Sequence, residues 1–225
     1  MKILTINPGS TSTKIGLFEG EEKVKEIVIR HKKEDLESFE HVIDQFDYRV
    51  EQINLFLEKE DVSLDEIDGF VGRGGLVKAL ESGIYEVNDL MVEDLKQAKY
   101  GEHASNLGAL MAKYYAELNN KKGYIADPVV VDEMTTTAKI SGLNGISRIP
   151  VWHALNQKAV ARKYAKKVGT PYEDLNLIVA HLGGGISVGY HKRGRVTDVN
   201  NALNGDGPFS PERTGGLPVS GVYEL

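Results

Sequence analysis

Two stretches gather the groups that hold phosphate. "NPGSTSTK", residues 7–14, sets Gly9 among the hydroxyls of Ser10, Thr11, Ser12 and Thr13 and ends on Lys14. "HLGGGIS", residues 181–187, places Gly183, Gly184 and Gly185 in a row after His181. Backbone N–H groups bind an anion best where several converge and no Cβ blocks the approach. Neither stretch has the spacing of a Walker A loop, and neither runs at once into a helix as a dinucleotide fold requires. Taken alone, each is an ordinary hairpin turn.

Other residues stand out by type and setting. Arg73 sits in "GRGG", at the end of a strand-like run. Asp127 follows a strand-like run in "IADP", where it can also serve as an Asx-turn acceptor ahead of Pro128. His153 in "VWHALN" and His103 in "GEHASN" each precede a helical pattern, where a histidine can cap or pack as readily as react. Arg213 in "SPERTG" adjoins Glu212, so a surface ion pair is an equal reading. His31, His41 and His191 lie in polar stretches and receive no role.

The elements that must position these groups mix strands and helices. "KILTINPG", "KIGLFEG" and "KVKEIVIR" read as three successive strands. Val42, Ile43, Phe46, Val50 and Ile53, with Phe56 or Leu57, fall near helical spacing. "EIDGFVGRGG" reads as a strand entering a glycine turn. A helical region follows with Asn88 or Asp89 as its cap, and from Leu107 to Leu118 the apolar stripe is clear. Residues 154–168 form another helix, stopped by Gly169 and Pro171. Residues 177–202 then repeat the plan of residues 3–30: a hydrophobic strand, a Gly/Ser turn and two more strands. Two glycine loops at equivalent points of a repeated unit suggest two related domains, one hairpin from each gripping the same phosphates. The boundary is expected near residues 140–152, giving domains 1–148 and 149–225.

Composition narrows the function classes. Of 225 residues, 41% are hydrophobic, enough for a substantial core. A net charge of −6 argues against a global surface for nucleic acid or anionic membrane. With no cysteine there is no disulfide, thiolate metal site or cysteine nucleophile. No apolar run approaches a membrane span, and a cytoplasmic protein is the default expectation.

The combined motifs resemble a known family. "ILTINPGSTSTK", "RGG" at 73–75, "GEHASNLGAL", "DPVVVDEM", "HALNQKAVA", "VAHLGGGIS" and "DVNNALNGDGPFSPERTG" run in the order seen in the carboxylate kinases, most closely the butyrate kinases. These belong to the acetate and sugar kinase, Hsp70 and actin superfamily. The resemblance implies an α/β fold of duplicated ribonuclease H-like domains, with the second incomplete here. It implies ATP and Mg²⁺ as cofactors and a short-chain carboxylate as substrate. It places Asn7, Ser10, Ser12 and Lys14 on the phosphates from the first hairpin, and His181 with Gly183, Gly184 and Gly185 from the second loop. It assigns Asp127 to orienting, through water, the magnesium that bridges the phosphates; a base role, as in the sugar kinases of the same fold, is the competing reading. It puts His153 on the transferring phosphoryl group, His103 near the substrate, Arg73 on its carboxylate and Arg213 on the phosphoryl charge. "GRGG" is shorter than the arginine-valine-valine-histidine-glycine-glycine stretch of acetate kinase, so Arg73 matches by type or position but not cleanly by both.

The implied chemistry is coherent. A carboxylate is ionised at neutral pH and needs no base to attack. The difficulty is repulsion between two anions, which calls for cations and fixed donors. A sugar kinase of the same fold would need a base for a hydroxyl. A non-catalytic actin-like protein would keep the glycine loops without needing Arg73 or His153. Family members also carry an adenosine-binding region and a closing C-terminal helix. Neither is found up to Leu225, so the chain reads as the N-terminal part of a longer enzyme. A homo-oligomer is implied by the family only.

Overall fold

A computed structural model describes residues 1–203 and 207–225; part of the "DVNNALNGDGPFSPERTG" motif thus lies outside the described residues. The chain divides into two compact units, residues 1–78 with 83–128, and residues 79–82 with 129–225. The division follows Pro128, about twenty residues before the boundary expected from sequence. The reason lies in Trp152, whose Nε1 donates to the carbonyl of Val131 at 2.7 Å. Val131, Met134, Trp152, Ala154, Val196 and Val199 form one apolar cluster, which ties residues 129–150 to the second unit.

The first unit is built on a six-stranded sheet. Its strands are β1 (Lys2–Pro8), β2 (Ser12–Glu19), β3 (Glu22–Arg30), β4 (Gly69–Arg73), β5 (Ile84–Glu86) and β6 (Gly123–Ala126), in the order β3-β2-β1-β4-β6-β5. β1, β2 and β3 form an antiparallel meander, while β4 and β6 join parallel to β1. Helices α1 (Lys33–Glu37), α2 (Phe46–Lys59), α3 (Asp89–Lys96) and α4 (Asn106–Leu118) complete the unit. The helical region expected after Asn88 is two helices. Asn88 caps α3, its Oδ1 accepting from the Met91 amide at 2.9 Å. The 97–105 stretch, with Ala98 and Gly101 at positive φ, interrupts the helix. Leu4, Ile6, Ile15, Ile53, Phe70, Leu107, Met111, Tyr115 and Ile125 are buried at the centre. α4 lies very close to β4: a Cβ on Gly72 would overlap the carbonyl of Gly108, and one on Gly108 would overlap that of Arg73.

The second unit holds α5 (Ala154–Val168), an antiparallel meander of β7 (Asn176–Leu182), β8 (Ile186–Lys192) and β9 (Arg195–Val199), and the short α6 (Val219–Tyr223). α5 ends at Gly169, whose φ of 69° is left-handed, as the sequence suggests. The meander matches β1-β2-β3 in plan, so the repeat read from sequence exists as a repeat of topology. Ser187, Gly189 and His191 alternate onto the buried face of β8. Among the described residues no helix is long and apolar enough to cross a membrane.

Candidate active site

In the first unit the candidate residues collect at the carboxyl ends of parallel strands. Ile6 of β1 pairs with Gly72 of β4, and Arg73 pairs with Ala126 of β6. Asn7 with its hairpin, Arg73, and Asp127 just past β6 therefore stand at the ends of three adjacent strands. This is where ligands bind in open α/β sheets.

The hairpin is shaped from beneath. The Gly9 amide donates to the carbonyl of Ser12 at 2.7 Å, closing the turn. The guanidinium of Arg49 is buried under it, donating to Thr13 Oγ1 at 3.0 Å, the Ser12 carbonyl at 3.2 Å and the Ser10 carbonyl at 3.4 Å. Gln45 Oε1 accepts from Arg49 Nε and Nη2 at 3.1 and 2.8 Å. Burial holds this guanidinium down at about 10, still a cation at neutral pH. Thr13 also bonds His31 Nε2 at 2.8 Å. Burial, then the neighbouring Arg49 charge, push the His31 imidazole down to about 4, so it is neutral. The carbonyls of Ser10 and Ser12 are thus turned into the protein. The Oδ1 of Asn7 is buried without a hydrogen-bond partner among the described residues.

Lys14 lies on β2, the second strand of the hairpin. Its Nζ lies 3.5 Å from Glu26 Oε1 on β3 in an exposed cross-strand pair. Arg73 is partly buried, and its guanidinium makes no hydrogen bond or ion pair among the described residues. Burial alone lowers its affinity for the proton, which marks a cation set into protein without a counter-charge. Asp127 is buried in left-handed backbone at φ 36°, a sparsely populated conformation for a non-glycine residue. It is strapped twice to Gly83: its amide donates to the Gly83 carbonyl, and its Oδ1 accepts from the Gly83 amide, both at 2.9 Å. His103 Nδ1 bonds Ser105 Oγ at 2.7 Å and accepts from the Ser105 amide at 3.1 Å, just before α4.

In the second unit, His153 and His181 come together. Their rings stack with centroids 3.7 Å apart and planes 8° from parallel. His181 Nδ1 lies 2.9 Å from Asn156 Oδ1, and His153 Nδ1 lies 2.8 Å from Ser187 Oγ. The Gly183–Gly185 loop turns between β7 and β8, with the Gly183 amide donating to the Gly185 carbonyl at 3.1 Å. The 210–213 segment lies on this loop. Ser210 Oγ donates to the Gly184 carbonyl at 2.6 Å, and a Cβ on Gly185 would come within 2.6 Å of Arg213 Nη1. Arg213 is 3.7 Å from Glu212, so the ion pair and the place beside the glycine loop coexist.

Several shaping residues escape a motif search. Arg49 and His31 brace the first hairpin, while Ser187, Gln157, His191 and Tyr172 lie behind His153. His31 and His191 are buried, not solvated as their polar neighbours in sequence suggest. A signal was present for both groups. Arg49 falls on the apolar stripe of α2, four residues from Ile53, and His191 alternates with Ser187 on one strand face.

No protein-family model matches the chain. Butyrate kinase 1 of Clostridium acetobutylicum is 52% identical over 224 residues, covering 100% of this chain and 63% of that protein. Acetate kinase of Porphyromonas gingivalis superposes with a TM-score of 0.74 at 19% identity, over 100% of this chain and 63% of its own. A propionate kinase of Francisella tularensis gives 0.70 at 19% identity, over 99% and 63%. The structural likeness at these identities concerns the fold alone, the α/β fold of acetate and propionate kinases. Across its whole length the chain is therefore a sequence relative of a butyrate kinase with the fold of acetate and propionate kinases, spanning about 63% of the length of each.

Proposed function

We propose that the protein containing this chain transfers the γ-phosphoryl group of ATP to a short-chain carboxylate, forming an acyl phosphate and ADP. The observation that carries this reading is the 52% identity to a butyrate kinase along the entire chain. The guanidinium of Arg73 at a strand end, without an ion-pair partner among the described residues, supports it, because an anion that accepts a bidentate bond would complete that group. The carboxylate attacks as it stands, so the site needs no base. Asn7, the first hairpin and the Gly183–Gly185 loop receive phosphate oxygens, and Arg73 holds the substrate carboxylate. His153, His181 and Arg213 supply donors and charge to the phosphoryl group, and His103 borders the substrate.

The donor set fits magnesium held mainly by nucleotide oxygens and water. Among the described residues no three His, Asp or Glu side chains gather as a protein-only cage, and Asp127 is a single strapped carboxylate. Magnesium bound there would neutralise phosphate charge. Butyrate is the acceptor we favour. Branched or shorter acids differ by a methylene or a methyl, a difference a hydrophobic pocket weighs at only about 1–3 kcal/mol. The domain assignment we adopt is a first actin-like domain carrying the substrate side and a second carrying the glycine loop, in a protein of the cytoplasm that acts as a homo-oligomer.

Hydroxylamine trapping tests the reaction. The 225-residue chain, and a longer protein containing it, are supplied with MgATP and either butyrate or a polyol. Butyryl hydroxamate formed in step with ADP supports the reading. ADP release that depends on the polyol, with no hydroxamate from any short acid, would replace it with a sugar-type kinase.

A further inference from the structure

Behind His153 runs a buried chain of hydrogen bonds whose direction can be read. Gln157 Nε2 lies 3.0 Å from the Ser187 carbonyl and 2.8 Å from Ser187 Oγ. A carbonyl only accepts, so the amide NH₂ must face Ser187 and the amide oxygen must face the other way. That oxygen lies 3.0 Å from His191 Nε2, which must therefore carry a proton. Tyr172 closes the far end, its hydroxyl 2.6 Å from His191 Nδ1. Burial, then the nearby Lys158 charge opposed by Glu133, push His191 down to about 4, so its Nδ1 is an acceptor and the tyrosine donates. Ser187, Gln157, His191 and Tyr172 are all buried.

The chain ends on His153. Ser187 Oγ already accepts from Gln157 Nε2, and its second lone pair faces the His153 amide at 3.4 Å. Its own proton is left for His153 Nδ1, 2.8 Å away. The space for this arrangement is made by Gly189. A Cβ there would stand 2.5 Å from Gln157 Oε1 and 3.3 Å from His191 Nε2.

We propose that Ser187 and Gln157 are positioning residues that hold His153 as a neutral imidazole with its proton on Nε2. The ring then donates a hydrogen bond from the edge turned away from Ser187 and cannot act as a base through that nitrogen. It also lies stacked on His181, and a neutral His153 avoids setting two imidazolium rings face to face. That this donor serves a phosphoryl oxygen rests on the carboxylate kinase reading; the tautomer does not.

The test is nitrogen NMR of the ¹⁵N-histidine-labelled chain near neutral pH, with His153 assigned by its loss in His153→Gln. The proposal expects an unprotonated Nδ1 and a protonated Nε2. In Ser187→Ala, and in Gly189→Ala where Gln157 is displaced, the two nitrogens should move toward averaged values, while Trp152 fluorescence reports whether the unit stays folded. A protonated Nδ1 in the unmodified chain, or folded Ser187→Ala with unchanged nitrogen shifts, overturns it. Should Ser187→Ala not fold, the unmodified spectrum and Gly189→Ala still decide. Where acyl phosphate is formed, Ser187→Ala should lower kcat about 100-fold with KM little changed. The expected tautomer in a chain that forms no acyl phosphate would uphold the positioning role and count against the kinase reading alone.

Discussion

Arg49 donates to the hydroxyl of Thr13 at 3.0 Å from a fully buried position, so a cation in the core holds the base of the first glycine hairpin. No carboxylate pairs with it among the described residues; its partners are the Gln45 amide, the Thr13 hydroxyl and two main-chain carbonyls. The buried charge is stabilised by dipoles, and in return it fixes where those dipoles point.

Arg49→Met should therefore be costly. Hydrogen bonds to a charged group contribute about 1.5–3 kcal/mol each, and the orphaned carbonyls of Ser10 and Ser12 lose theirs together. Urea unfolding is expected to show a loss of about 3 kcal/mol or more. Nucleotide affinity should fall in the fraction that remains folded. A variant as stable as the parent would show that the hairpin does not depend on this brace.

The buried pair of Lys158 and Glu133 gives a second test. Nζ lies 2.8 Å from Oε2, and the side chains are 1% and 4% exposed. Glu133 also accepts from the Val196 amide at 2.8 Å. Lys158→Met leaves that carboxylate buried without its cation and should cost about 3–5 kcal/mol. The double variant Lys158→Met, Glu133→Gln should recover part of the loss. Trp152, the one tryptophan in the sequence, packs in the same unit and reports its unfolding.

Acid should destabilise both units through histidine. His31 and His191 each drop from an ordinary value of 6.5 to about 4 in the folded protein. Below 6.5 the unfolded chain binds protons that the folded chain refuses, so stability falls as pH drops from 6.5 toward 4. The stabilisation is fully present above 6.5 and is lost as pH falls through about 4. The midpoint of denaturation, followed across this range, should slope downward toward acid. His191→Phe should flatten that slope for the unit reported by Trp152.

Close packing of α4 on β4 is the fourth point of test. Gly72→Ala would drive a methyl into the Gly108 carbonyl, with main chain on both sides and no flexible side chain to yield. A cost of about 1–3 kcal/mol is expected from overpacking, measured by thermal unfolding. Arg73 follows directly in the strand, so the same variant should weaken carboxylate binding. Unchanged stability would mean that the helix can back away.

The sequence carried the fold in its patterning and the site in its motifs, but unevenly. The β1-β2-β3 meander, α5 with its Gly169 stop, and the repeated plan at β7-β8-β9 are all visible as periodicity and turn chemistry. Residues 129–150 are not, because they lack regular elements and are assigned to their unit by one indole reaching Val131. Lys14 was legible as a cation but not as half of an exposed pair with Glu26, since cross-strand neighbours depend on register. The chain behind His153 was the least legible. Its members lie up to 38 residues apart, from His153 to His191, and only the folded sheet and helix bring them into one line.

Arg73 provides the most direct test of the central claim. Acyl hydroxamate formation would be compared for the parent protein and Arg73→Ala over a series of acetate, propionate, butyrate and isobutyrate. The account expects activity highest at four carbons and, in the variant, kcat/KM for butyrate about 10–100-fold lower with KM for MgATP little changed. Equal kcat/KM for butyrate in parent and variant would contradict the assignment of Arg73 to the substrate carboxylate. Absence of hydroxamate from the parent with every acid would contradict the carboxylate kinase itself.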